Sequence, residues 1–171
     1  MDLNREKFID LSARLPYGVR GTVPVEVATG DYDVYDGSML YDEKEILVEL
    51  LGIGDGGEIE VLILEDGWED YDLSDYDFTL DDFTPYLRPM ESMTEEEYKE
   101  YDRLIRMSVT VAIPPGASIM KPEYIIDLED DGDGLNHLYD WLNEHHFDYR
   151  GLIPKELATA VTNENNPYKE V

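Results

Sequence analysis

The chain has 171 residues, no cysteine, and 41 Asp plus Glu against 13 Lys plus Arg, a formal net charge of -28. That length suits one domain with a core of its own, and the missing thiols exclude disulfides, thiolate metal sites and cysteine nucleophiles. The charge opposes direct contact with nucleic acid and with anionic membranes, and it favours a partner with a basic surface.

Asn4 to Leu15 reads as a first helix, with Asn4 as N-cap and Phe8, Leu11 and Leu15 on one stripe. Pro16-Tyr17-Gly18 ends it. Val19 to Val27 alternates as a strand, and Tyr32, Val34 and Met39 to Tyr41 suggest a second. Glu45 to Ile53 and Glu58 to Glu65 are the clearest strands, because they flank the hairpin signal Gly54-Asp55-Gly56-Gly57. Trp68 to Phe83 alternates acids with aromatics and reads either as an edge strand or as an irregular loop pinned by its rings.

Thr94 begins the most secure helix. Thr94 with Glu97 forms a capping box, and Met93 with Tyr98 a hydrophobic staple. Glu95/Lys99 and Asp102/Arg106 are i, i+4 ion pairs, and Tyr98, Tyr101, Leu104 and Ile105 form the inward stripe. Ser108 to Ile113 reads as a strand ended by Pro114-Pro115-Gly116. A third helix spans about Leu135 to His145, capped near Asp133, with Leu135, Leu138, Trp141 and Leu142 inward. His145 and His146 sit at its C-terminal end, where the dipole favours imidazolium. Pro154 opens a last short helix to Val161, and Thr162 to Val171 reads as a loose tail.

The acids are concentrated: Gly21 to Leu87 holds 20 Asp and Glu and one base, Lys44. Within it, Asp70, Asp72, Asp75, Asp77, Asp81 and Asp82 form a row of carboxylates, with Tyr71 and Tyr76 as aromatic anchors. A rigid row of this kind imitates the charge of a nucleic-acid backbone and occupies a basic cleft. The plainer reading is a solvated face that keeps the chain soluble.

The segment Asp127 to Leu138 is the sharpest metal candidate. Calcium takes six to eight oxygens on a sharply turned loop, and Asp127, Glu129, Asp131 and Asp133 fall at alternate positions around Gly132. Position 12 is Leu138 where a bidentate acid belongs. A register begun at Glu129 ends properly at Asp140 but starts on an atypical Glu. An acidic turn capping the following helix is the plainer reading. His137, His145 and His146 lack the helical spacing of a zinc site. There is no phosphate-binding glycine loop, nucleophile elbow or H-E-x-x-H, and so no catalytic residue is singled out.

Two long strings, Pro85-Tyr86-Leu87-Arg88-Pro89-Met90-Glu91-Ser92-Met93-Thr94-Glu95-Glu96-Glu97 and Trp141-Leu142-Asn143-Glu144-His145-His146-Phe147-Asp148-Tyr149-Arg150-Gly151-Leu152-Ile153-Pro154-Lys155, carry a resemblance, joined by Leu15-Pro16-Tyr17-Gly18-Val19. They resemble a family of small uncharacterised proteins encoded by phages and prophages of gut Bacteroidales. The resemblance implies a mobile-element origin and action in a bacterial cytoplasm, and it carries no activity. It also implies that the middle, about residues 22 to 84, is the variable part. Read as residues, the two strings are structural, and Arg150 is expected to pair with an acid.

The expectation is therefore an α+β domain over residues 1–161: a small antiparallel sheet, an open barrel being one form of it, with about three to four helices packed on it. The acidic β-rich part covers about 16–90, the helical part about 91–161, and 162–171 is a flexible tail. The expected function is that of a non-enzymatic interaction protein that masks a basic surface on a host protein, a defence nuclease being a suitable target. The alternatives are a calcium-binding accessory protein, and a protein whose acidity serves solubility alone. No run of about 20 apolar residues offers a membrane span. Met1 to Lys7 has no apolar leader, so the host cytoplasm is the expected location.

Overall fold

The computed structural model describes residues 3–68, 76–108 and 133–169. The elements run α1 (Leu3–Arg14), β1 (Arg20–Tyr32), β2 (Met39–Ile53), β3 (Ile59–Ile63), β4 (Thr84–Leu87), α2 (Glu95–Ser108), α3 (Asp133–Glu144) and β5 (Thr159–Ala160). Short 3-10 turns at Leu15–Tyr17, Met90–Ser92 and Ile153–Lys155 join them. The five strands lie in the order β3-β2-β1-β4-β5, an open sheet that does not close into a barrel. The α+β class is as expected. One pair, β4 with β5, is parallel, so the sheet is mixed where an antiparallel one was expected.

Alternation sets the inner face of the sheet. Val23 and Val25 on β1 and Ile46, Val48 and Leu50 on β2 are buried at every second position. They pack with Leu11 of α1 and with Phe78, Leu80 and Phe83 from the segment before β4. The turn at Gly54–Gly57 forms as the sequence predicts: the Gly54 amide donates to the Glu58 carbonyl at 2.8 Å, and Gly57 takes φ +88°. Gly21 is required for a different reason. A Cβ there would lie 2.5 Å from the Thr84 carbonyl oxygen and 2.6 Å from the Phe83 ring, where β4 crosses β1.

A second cluster joins the helices: Met90, Tyr101, Leu104, Ile105, Leu135, Leu138, Leu142 and Phe147. Helix α2 starts as predicted. The Glu97 amide donates to Thr94 Oγ1 at 3.2 Å, and the Thr94 amide donates to Glu97 Oε2 at 2.7 Å. Both predicted i, i+4 pairs close at 2.7 Å. Tyr98, however, is exposed, because the buried face of α2 turns through Tyr101, Leu104 and Ile105 alone.

Of the expected apolar stripe, Leu11 is buried fully and Leu15 in part, and helix α1 also buries a polar face that the sequence did not suggest. Phe8 is exposed, whereas Lys7, Asp10, Leu11 and Arg14, spaced i, i+3, i+4, i+7, are buried. Arg14 donates to Asp10 at 2.7 and 3.0 Å and to the Phe147 carbonyl at 2.8 Å. Arg150 pairs with Asp10 at 3.4 Å, as expected of an isolated base. The chain end also differs from expectation. Pro154 opens only a 3-10 turn, and β5 follows it. The tail is tied down through Lys169 rather than loose: Tyr168 donates to the Tyr86 carbonyl at 2.9 Å, and Arg20 donates to the Pro167 carbonyl at 2.6 Å.

Candidate functional site

The most distinctive surface is an arm. β1 and β2 continue pairing well past the end of β3 and past β4, which meets β1 only at Gly21 and Thr22. From Ala28 to Glu45 nearly every residue is exposed, so this part is a two-stranded ribbon with neither face covered by the described residues. Such a ribbon is marginal by itself, and local bonds stiffen it. Thr29 Oγ1 donates to the Leu40 carbonyl and accepts from the Asp31 amide, both at 3.1 Å, across the register shift between Ala28 and Tyr32. At the tip, Asp33 Oδ1 accepts the Tyr35 amide at 2.7 Å and the Asp36 amide at 3.2 Å. Asp36 accepts the Ser38 amide at 2.9 Å, which holds its carboxyl below the ordinary range. Gly37 closes the turn at φ +74°.

The tip holds Val34 at 89% and Tyr35 at 95% exposure, with Tyr32 at 59% and Tyr41 at 57% just behind. Met39 and Leu40 are exposed as well. Between them stand carboxylates: residues 26–45 include Glu26, Asp31, Asp33, Asp36, Asp42, Glu43 and Glu45 against Lys44. Glu26 and Glu43 are direct cross-strand partners, an arrangement in which like charges weaken the pairing.

Of the row of carboxylates proposed from the sequence, only Asp77, Asp81 and Asp82 lie within the described residues. Asp70, Tyr71, Asp72 and Asp75 lie outside the described residues. Tyr76 braces the root of the arm: its hydroxyl accepts the Glu26 amide and donates to the Glu26 carbonyl, both at 3.1 Å, and its ring stacks on Phe78 at 5.3 Å. Tyr76, Asp77 and Phe78 form no strand, and Thr79 makes an isolated bridge to Glu58, so this stretch is a loop pinned by its rings. Asp77 and Asp81 are exposed. Asp82 is half-buried and accepts both the amide and the hydroxyl of Thr79 at 2.8 Å. Burial lowers the Lys7 ammonium below its ordinary value, and the charges of Asp81 and Asp82 oppose that shift. Lys7 in turn donates to the Leu80 carbonyl.

Of the calcium candidates, Asp127, Glu129 and Asp131 lie outside the described residues. So does the strand expected over Ser108 to Ile113, apart from Ser108 itself, which is the last residue of α2. Asp133 is the first residue of α3. Among the described residues, no three His, Asp or Glu converge as metal ligands.

An open polar cleft of about 910 Å³ lies between the root of β1 and β2, the end of α3 and the C-terminal segment, with Arg20, Glu49, Arg88, His145, His146 and Tyr168 on its walls. Its charges are internally balanced. Arg20 stands 3.4 Å from Glu49, and Arg88 grips Glu97 through two bonds of 2.7 and 2.9 Å. The Arg88 bonds hold the Glu97 carboxyl down at about 2. His145 Nδ1 lies 2.9 Å from the Trp141 carbonyl and caps α3. His146 takes φ +56°, its amide bonding to the Asn143 carbonyl and that of Phe147 to the Leu142 carbonyl. This is the Schellman arrangement, with histidine in the place glycine usually fills. The sequence suggested imidazolium at both positions. Burial, together with the nearby Arg14 charge, instead pushes His146 down to about 3, so it is neutral.

The segments around Arg88 and Asp148 thus build the frame. Arg88 stacks on Phe147 at 4.3 Å, and Asp148 caps the 3-10 turn by accepting the Leu152 and Ile153 amides at 2.7 and 2.9 Å. Tyr32, Val34 and Met39 to Tyr41 read as a separate second strand, but Tyr32 instead ends β1, Val34 and Tyr35 lie in the turn, and Tyr41 belongs to β2. Their signal was the acid-aromatic run from Asp31 to Asp36, flanked by Gly30 and Gly37. Fold and surface define the class: an α+β domain with an open sheet from which an acidic, aromatic-tipped β-ribbon projects. Comparison with protein-family models, with curated proteins and with solved structures returns no match. No helix among the described residues is long and apolar enough to cross a membrane.

Proposed function

We propose that this chain is a non-enzymatic interaction protein that docks its acidic ribbon on a basic, nucleic-acid-binding face of another protein and masks it. The carrying observation is the β1–β2 arm, which exposes Tyr32, Val34 and Tyr35 among carboxylates and, among the described residues, packs against nothing at its outer end. Large exposed aromatics on a rigid projection are what interface anchors look like before a partner arrives. The surrounding acids select the sign of that partner and speed its approach. Self-association through the arm is opposed by the same charge. A mobile-element origin, implied by the resemblance, makes a host nucleic-acid-binding protein such as a defence nuclease a fitting target in the bacterial cytoplasm.

The test is retention from bacterial lysate on the immobilised protein, washed with rising salt and then eluted with nucleic acid. Basic nucleic-acid-binding proteins should be retained at low salt and released by either treatment. Retention that ignores both salt and nucleic acid would rule the masking function out.

A further inference from the structure

We infer that the arm imitates a single nucleic-acid strand, so that its partner is a groove built for single-stranded DNA or RNA. This rests on the masking function proposed above and narrows its target. Two observations favour a single strand over a duplex. The first is shape. Beyond Ala28 the arm is one layer, two chains wide, with strands about 4.8 Å apart. That is a slender insert for a narrow groove. It would leave a surface shaped around a duplex mostly uncovered.

The second is the mixture of groups. Grooves that bind single strands combine a basic track for the backbone with aromatic platforms on which bases stack. The arm offers the complement of both. Asp31-Tyr32-Asp33-Val34-Tyr35-Asp36 interleaves carboxylates with rings at the tip. Along β2, Tyr41, Glu43 and Glu45 share the face opposite the buried Ile46, Val48 and Leu50. Same-face neighbours on a strand stand about 6.7 Å apart, a repeat suited to an extended polynucleotide. A duplex hides its bases inside the stack, so imitation of a duplex gives exposed tyrosines no role.

The experiment uses the full chain on a column and lysate of a gut Bacteroidales bacterium. Parallel columns are eluted with oligo-dT or with an equal mass of duplex, and the released protein is titrated against both, labelled. A triple variant, Tyr32→Ser, Tyr35→Ser and Tyr41→Ser, is run alongside. These side chains are exposed, so the variant should fold, and circular dichroism is the check on that. Oligo-dT should release the captured protein selectively, that protein should prefer the single strand, and the triple variant should bind it about 100-fold more weakly. Release only by duplex would overturn the single-strand inference while leaving the masking function standing. Full capture by the triple variant would do the same. If nothing is captured in a salt-dependent way, both fall.

Discussion

The imidazole of His146 stacks on the ring of Tyr168, centroids 3.8 Å apart and planes 10° apart. That contact ties the end of α3 to the chain's C-terminal segment, because the Tyr168 hydroxyl is itself bonded to the Tyr86 carbonyl and the Arg20 amide. Burial raises that hydroxyl to about 12, so it stays protonated and keeps donating.

The stack has a pH signature. His146 is held at about 3 in the folded chain by burial and by neighbouring arginines, against 6.5 when exposed. Below pH 6.5 the unfolded chain gains a proton that the folded chain refuses, so stability falls as pH falls from 6.5 toward 3. The slope from this group approaches about 1.4 kcal/mol per pH unit. Carboxylates titrate lower in the window, so the comparison needed is with His146→Asn, which tolerates the left-handed backbone and does not titrate. Wild type should lose its advantage over this variant between pH 7 and pH 5 in urea unfolding. A difference that stays constant with pH would show that His146 is not held neutral.

Asp10 makes a second test. It lies fully buried between Arg14 and Arg150, at 2.7 and 3.4 Å. Asp10→Ala leaves the Arg14 guanidinium buried without its counter-charge, which costs about 3–5 kcal/mol. Replacing both, Asp10→Leu with Arg14→Met, should restore much of that loss, since a buried ion pair is often matched by apolar residues of similar volume. Denaturant midpoints of the single and double variants decide it. If the double variant is no better than the single, the pair's hydrogen bond to the Phe147 carbonyl matters more than its charge.

Gly21 should tolerate no side chain. Both obstacles to a Cβ are hard to move, one being the Thr84 backbone oxygen and the other the buried Phe83 ring. Gly21→Ala should therefore destabilise by about 1–3 kcal/mol or more through overpacking. Phe83→Leu in the same chain should recover part of it by clearing the ring side. Thermal melts of Gly21→Ala and of the pair measure this. A Gly21→Ala protein as stable as wild type would mean that β1 and β4 are further apart than described.

What could be read from the sequence depended on whether a signal was local. Thr94 and Glu97 satisfy one another within a single turn, and Gly54 to Gly57 fold on themselves, so both were legible. The buried face of α1 was not. Lys7, Asp10 and Arg14 are polar, and their burial is made tolerable by the Asp10–Arg14 pair together with the distant partners Leu80, Phe147 and Arg150. β5 was missed because two residues leave no periodicity, and their parallel pairing with Tyr86 and Leu87 is a matter of topology. His146 stands where glycine is usual, so the Schellman end of α3 was not legible, and the sequence offered only a dipole-favoured imidazolium there. The arm was half legible. Its alternation showed strands, but nothing local says that a strand will have no layer against it.

That absence of packing gives the last prediction. Because residues from Ala28 to Tyr41 bury almost nothing, replacing Thr29 to Leu40 by a short Asn-Gly turn should leave the core intact. Removing the distal ribbon also removes Asp31, Asp33 and Asp36, which lowers the local repulsion. The two effects together should shift the melting temperature by no more than about 4 °C, the equivalent of roughly 1 kcal/mol in a chain of this size. Capture of a basic partner should nevertheless be abolished. A protein that keeps its melting temperature and loses its partner would separate folding from function at the arm. A large drop in stability would instead make the distal ribbon part of the fold.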